Sequence, residues 1–93
     1  MDKKEAEKIL EEQINKYRNK PYWELIKLID AEPITFEIGL KDNVYQVEIQ
    51  AFWDERPDSD IRVMVSVDDG AWSSFKPLCS DFIKNGNNEF VGE

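Results

Sequence analysis

ITFEIGLKDNVYQVEIQAFWDERPDSDIRVMVSVD, residues 34–68, is the stretch whose reading decides the fold. Apolar side chains recur in it at every second position, the period of a strand with one face buried: Ile34, Phe36, Ile38 and Leu40 alternate with Thr35, Glu37 and Gly39. Lys41-Asp42-Asn43 supplies turn residues. The run Val44 to Trp53 then sets Tyr45, Val47, Ile49, Ala51 and Trp53 on one face and Gln46, Glu48 and Gln50 on the other, with Val44 and Phe52 as exceptions. After a polar loop, Asp54 to Asp60, the strand Ile61 to Asp68 repeats the pattern with Ile61, Val63, Val65 and Val67 inward. A slip of one residue would turn each apolar set toward water, so the alternation commits the register.

Working outward toward the N-terminus, Ala6, Ile9, Leu10, Ile14 and Tyr17 fall at helical spacing within residues 3–18. Asp2 stands as N-cap with Glu5 three positions later, a capping-box arrangement. Asn19-Lys20-Pro21 breaks this helix, and Pro21 suits the first turn of a second one, whose face is Tyr22, Leu25, Ile26 and Ile29, with Trp23 off the stripe. Pro33 closes it, because the residue before a proline leaves the α region. Toward the C-terminus, Asp69-Gly70 reads as a tight hairpin to a short strand near Trp72 to Phe75. Ser80 reads as the cap of a short helix with Asp81, Phe82 and Ile83, and Asn85-Gly86-Asn87-Asn88 as a loop after which Phe90 and Val91 dock. The order expected is α-α-β-β-β-β-α: an α+β domain with two N-terminal helices, a three- to four-stranded antiparallel meander covered on one face, and a short C-terminal helix.

Composition narrows the class. At 93 residues, with 41% hydrophobic and 34% charged, the chain suits a single domain spanning 1–93. One cysteine, Cys79, excludes an internal disulfide and points to a reducing, cytoplasmic home. The charged N-terminal segment MDKKEAEKILEEQ lacks the apolar run of an export signal, and no window has the length of a membrane span, so no membrane association is expected. No histidine is present, which removes the commonest metal ligand and general base. The net charge of −8 divides as +1 on residues 1–20 (six basic, five acidic) and −9 on residues 21–93 (six basic, fifteen acidic). Such a field repels nucleic acid and favours basic proteins, cations or simple solubility.

Two acidic groups stand out: Asp54, Glu55, Asp58 and Asp60 on one loop, Asp68 and Asp69 at the next connection. A meander holds them at opposite ends of one strand. Ordinary turn chemistry explains both groups, and the spacing lacks the glycine and terminal glutamate of an EF-hand, so no metal or cofactor is expected. Without histidine, a serine or Cys79 nucleophile lacks its usual base, and the chain is expected not to be an enzyme. Cys79 is expected as a small core residue rather than a reactive thiol. The polar strand face with Gln46, Glu48, Gln50, Arg62, Met64 and Ser66, flanked by Phe52, Trp53 and Trp72, is the broader candidate surface, with Trp53 in phase with the core.

The segments YQVEIQAFWDE, DIRVMVSVDDG, FKPLCSDFI and NEFVGE resemble a group of small uncharacterised bacterial α+β proteins, and that resemblance implies no function. The helix-then-meander order in an acidic chain is similar in architecture to immunity proteins of toxin systems, a likeness of fold alone. The expectation is a protein-binding module for a basic partner, contacted through Asp54, Glu55, Asp58, Asp60 and Trp72. The alternatives are a ligand-binding or enzymatic domain with a pocket between helices and sheet, and a homodimer through an exposed surface.

Overall fold

The computed structural model describes residues 2–69 and 77–93. Two helical elements precede a four-stranded antiparallel sheet: α1 Lys3–Arg18, α2 Tyr22–Leu25 continued by a 3-10 turn Ile26–Leu28, then β1 Ile34–Leu40, β2 Asn43–Trp53, β3 Ile61–Asp68 and β4 Leu78–Lys84. The strands lie in the sheet in the order of the sequence, a meander. The α+β class and the meander expected from the alternation therefore hold. The identity of the last strand does not.

Asp2 caps α1 as expected, its Oδ1 accepting from the backbone N–H of Lys4 at 3.0 Å and Glu5 at 3.2 Å. Glu5, however, does not complete a capping box. Its carboxylate turns inward, accepting the Tyr45 phenol at 2.6 Å and Asn43 Nδ2 at 3.1 Å, with Lys41 Nζ at 3.6 Å. These donors hold the Glu5 carboxyl below the ordinary carboxylate value, the Tyr45 hydrogen bond contributing most. Burial first, and Glu5 second, push the Tyr45 phenol up to about 12.

Pro21 sits one position earlier than expected, as N-cap of α2 with extended backbone. The N–H that follows it, on Tyr22, is satisfied by Asn88 Oδ1 at 2.7 Å. Trp23, off the apolar stripe, is exposed beneath Lys27, whose Nζ lies 5.0 Å from the ring.

The core lies between the helices and the inward sheet face: Ala6, Ile9, Ile14, Tyr17 and Leu25 meet Tyr45, Val47, Ile49, Ile61, Val63, Val65, Val67 and Phe82. Helix α1 lies across β3 and β4, while α2 and its 3-10 turn lie over β3 and β2. Strand β1 is at the margin of this cover. Its inward side chains Ile34, Phe36, Ile38 and Leu40 are only half-buried, less than the alternation implied for Phe36 and Ile38.

The expected C-terminal helix is instead β4, paired antiparallel with β3 from Ile61↔Lys84 to Val67↔Leu78. In a strand, Leu78, Ser80, Phe82 and Lys84 share the inward face, which a helical reading of Ser80-Asp81-Phe82-Ile83 scatters. Cys79 consequently points outward and is exposed, against the expectation of a core residue. The expected Asp69-Gly70 hairpin, the strand near Trp72 to Phe75 and Trp72 itself fall outside the described residues.

The inward Lys84 is the least expected core member. Its ammonium donates to the carbonyls of Arg18 and Lys20 at the end of α1, both at 2.8 Å, and lies 4.7 Å from the Phe90 ring. The tail docks as expected: Phe90 bridges to Lys84, Val91 N–H donates to Ile83 at 2.9 Å, and Phe90 meets Phe82 edge to face. Arg18 stacks on Phe90 at 3.9 Å and forms a two-pronged pair with Glu93.

Candidate functional site

The sheet face turned away from the helices carries no described helix over it. The register lays out its side chains in rows: Glu37, Gln46 and Asp68; then Thr35, Glu48, Ser66 and Cys79; then Gln50, Met64 and Asp81; then Phe52, Arg62 and Ile83. With the described helices on the other side, these outward positions alternate with the buried set, which accounts for most of them being polar, Phe52, Met64 and Ile83 being the apolar exceptions. Toward the β1 side the first two rows form a shallow, half-open concavity of about 530 Å³ whose lining includes Thr35, Glu37, Gln46, Glu48, Ser66 and Asp68. Glu48 also accepts from Gln50 Nε2 at 2.7 Å.

The other end of the face is electrically different. Arg62 lies between two carboxylates, with Nε 3.0 Å from Asp54 Oδ1, NH2 2.8 Å from the same oxygen, and NH1 hydrogen-bonded to Asp81 Oδ2. The Asp54 hydrogen bond is the leading cause that raises the Arg62 guanidinium above its ordinary value, followed by Asp81. One cation thus offsets two anions here.

The four expected loop residues are brought together, though not as equals. Asp54 is half-buried and committed to Arg62. The loop closes on itself through Asp54 N–H donating to the Asp60 carbonyl at 2.8 Å, and Asp58 takes a positive φ of 63° at its tip. The Tyr22 phenol pins it by donating to the Ser59 carbonyl at 2.7 Å, and burial, with the charges of Asp58 and Asp60, raises that phenol above its ordinary value. Glu55 and Asp58 are exposed to solvent. Asp60 and Asp68 stand at the two ends of β3, roughly 26 Å apart at about 3.3 Å per residue, so the two acidic groups are separate. Among the described residues no three carboxylate or cysteine side chains converge as a metal site.

Sequence reading missed Glu37, Asp81 and the concavity. Glu37 carried a signal, an acid at an outward position of a strand, but its neighbours Gln46 and Asp68 appear only once strands pair. Asp81 carried none while its segment read as a helix. The concavity also sits on the sheet side opposite to the pocket expected between helices and sheet.

The chain matches no protein-family model, no curated protein and no solved structure. No helix among the described residues is long and apolar enough to cross a membrane.

Proposed function

We propose that this chain is a protein-binding module for a basic partner, docked on the outer sheet face, with an immunity-type inhibitor as its biological form. One observation carries the reading: among the described residues no helix covers the outer face, which joins the carboxylates of Glu37 and Glu48 to the apolar surface of Met64, Ile83 and the exposed Phe52. Such a patch supplies both steering charge and desolvatable area. The Asp54–Asp60 loop is the rim of the same surface, with Glu55 and Asp58 as its solvent-facing charges. A ligand-binding reading draws on the concavity, whose 530 Å³ falls in the range of small-molecule pockets, about 300–1,000 Å³. Its half-open, carboxylate-bearing form fits a protruding lysine or arginine better than an enclosed ligand.

The test is affinity capture on the immobilised chain from native lysate at about 50 mM and about 300 mM salt, followed by binding kinetics. The expected partner is a basic protein whose association slows with salt and whose capture is lost with Glu48→Lys. Recovery of nucleic acid, or of an acidic protein indifferent to salt, overturns the reading.

A further inference from the structure

We propose that the free edge of β1 takes an extended segment of the basic partner as a fifth strand, lysines or arginines lying on the outer sheet face and apolar side chains at the alternate positions. This rests on the reading above and adds where, and in what conformation, the partner docks.

The two edges of the sheet are treated differently. Part of β4 is closed off by the tail, through the Lys84↔Phe90 bridge and the Val91 to Ile83 hydrogen bond. Strand β1 pairs with β2 along its whole length, from Ile34↔Ile49 to Leu40↔Asn43, and its other side pairs with nothing among the described residues. The two-residue loop Lys41-Asp42 closes on the Leu40–Asn43 pair, which is therefore hydrogen-bonded. Hydrogen-bonded pairs alternate along an antiparallel ladder, so Leu40, Ile38, Phe36 and Ile34 bond to β2 while Gly39, Glu37 and Thr35 turn their N–H and C=O outward. Edge strands are ordinarily blunted by charged side chains, a proline, a bulge or an inward-pointing charge. ITFEIGL contains no proline, bulge, lysine or inward charge, and its one charge, Glu37, lies on the outer face, where it repels acidic strands and admits basic ones.

Both flanks of this edge specify an occupant. Inward lie Ile34, Phe36, Ile38 and Leu40, half-buried at the margin of the helices, which an added strand would cover with apolar residues. Outward lie Thr35 and Glu37, beside Glu48 in the next strand, which call for basic residues on the same strand. Strand addition of this kind takes its affinity from main-chain hydrogen bonds and its specificity from alternate side chains. A second copy is the poorer occupant. Pairing β1 with its own copy about a two-fold axis centred on Glu37 sets like charges face to face, and each chain brings a net −8.

The experiment is a solution NMR titration of the intact chain with a capped seven-residue peptide alternating lysine and valine. Controls are an isomer with its lysines grouped, and two versions N-methylated at either the lysines or the valines. The expected result is saturable shifts and new exchange protection at the Thr35, Glu37 and Gly39 amides. The grouped isomer, which loses about two of the lysine–carboxylate pairs on the outer face, binds roughly tenfold weaker, and one N-methylation pattern abolishes binding while the other keeps it. Glu37→Lys weakens the alternating peptide without altering the melting temperature, each exposed charge pair being worth roughly 1.5- to 5-fold in affinity. Equal binding of both isomers, with shifts at the Asp54–Asp60 loop, refutes the edge and leaves the basic-partner reading standing. Absence of binding by every peptide at low salt also refutes the edge, the basic-partner reading then resting on the capture experiment. Concentration-dependent dimerisation through β1 overturns the proposal in favour of a second copy.

Discussion

Replacing Lys84 by methionine tests whether a buried cation holds the corner between the two helices. Lys84 is only 5% exposed, and its ammonium bonds two carbonyls at the end of α1, where the helix carries partial negative charge. Two effects oppose each other. Leaving a carbonyl unpaired in a dry site costs about 1–3 kcal/mol, and since this corner is only part-buried the lower end applies, about 2 kcal/mol for the pair. Against that, methionine removes a charge that folding must desolvate, a cost shown by the ammonium being held below the ordinary 10.5 by burial first and Arg18 second. Methionine keeps the unbranched stem against Phe90, so little packing changes. The carbonyls win by about 1–1.5 kcal/mol, which at this chain length lowers the melting temperature by roughly 5–10 °C. Urea unfolding followed by circular dichroism should show a lower midpoint with an unchanged slope. A depressed amine pKa means that the unfolded chain binds more protons between the folded value and 10.5, so wild-type stability rises with pH across that window relative to Lys84→Met. A methionine variant as stable as wild type, or more so, would show that desolvation dominates and that Lys84 is tolerated rather than structural.

Val65→Ala removes two methyl groups from a fully buried position beneath the helices and should cost about 1 to 3 kcal/mol, read as a lowered denaturant midpoint; an unchanged midpoint contradicts the core assignment. The Tyr45–Glu5 pair gives stability a limit at each end of the pH scale. The depressed Glu5 carboxyl stabilises above its ordinary 4.5 and loses that contribution as pH falls through its folded value. The Tyr45 phenol, raised from 10.0 to about 12, stabilises below 10 and loses that contribution as pH climbs toward 12, so Tyr45→Phe should flatten the alkaline limb of a melting-temperature profile. Millimolar calcium should leave the melting temperature where equal ionic strength leaves it, and a saturable rise abolished by Asp58→Asn with Asp60→Asn would reveal a real site.

Strands β1 to β3 were legible because one buried face imposes a period of two, and Tyr45, Val47, Ile49, Val63 and Val65 obey it without exception. Strand β4 hid the same period. Its inward set is Leu78, Ser80, Phe82 and Lys84, of which only two are apolar, and Ser80 before Asp81-Phe82-Ile83 imitates a helix start. What makes Lys84 an inward residue is the pair of carbonyls 64 and 66 positions away, a tertiary circumstance that no local window holds. Glu5 misled for the same reason: at the N3 position local chemistry favours a capping box, yet a buried phenol 40 positions away captures the carboxylate. The candidate surface was half legible. Outward residues on β2 and β3 followed from alternation, while Glu37 and Asp81 acquired their surroundings only through pairing.

Pairing also redistributes the charge on which a functional reading depends. Counted along the sequence, Asp54 to Asp60 is the densest acidic run, and steering would be assigned to it. In the fold Arg62 reaches back from β3 to Asp54 and across to Asp81, so that end of the outer face holds a cation between two anions, with Glu55 and Asp58 left as its solvent-facing acids. At the other end Glu37 and Glu48 stand in adjacent rows above a concavity, within reach of one another at a screening length of roughly 8 Å. Side chains one strand and one row apart act on an approaching cation together, whereas the loop and the concavity, separated by about 20 Å from Asp60 to Ser66 along β3, act separately. Neutralising Glu37 and Glu48 should therefore slow association with a basic partner more than neutralising Glu55 and Asp58, and stopped-flow rates at low salt decide between them. Equal slowing by both pairs would mean that the partner reads the net charge of the chain and not the surface that its strands assemble.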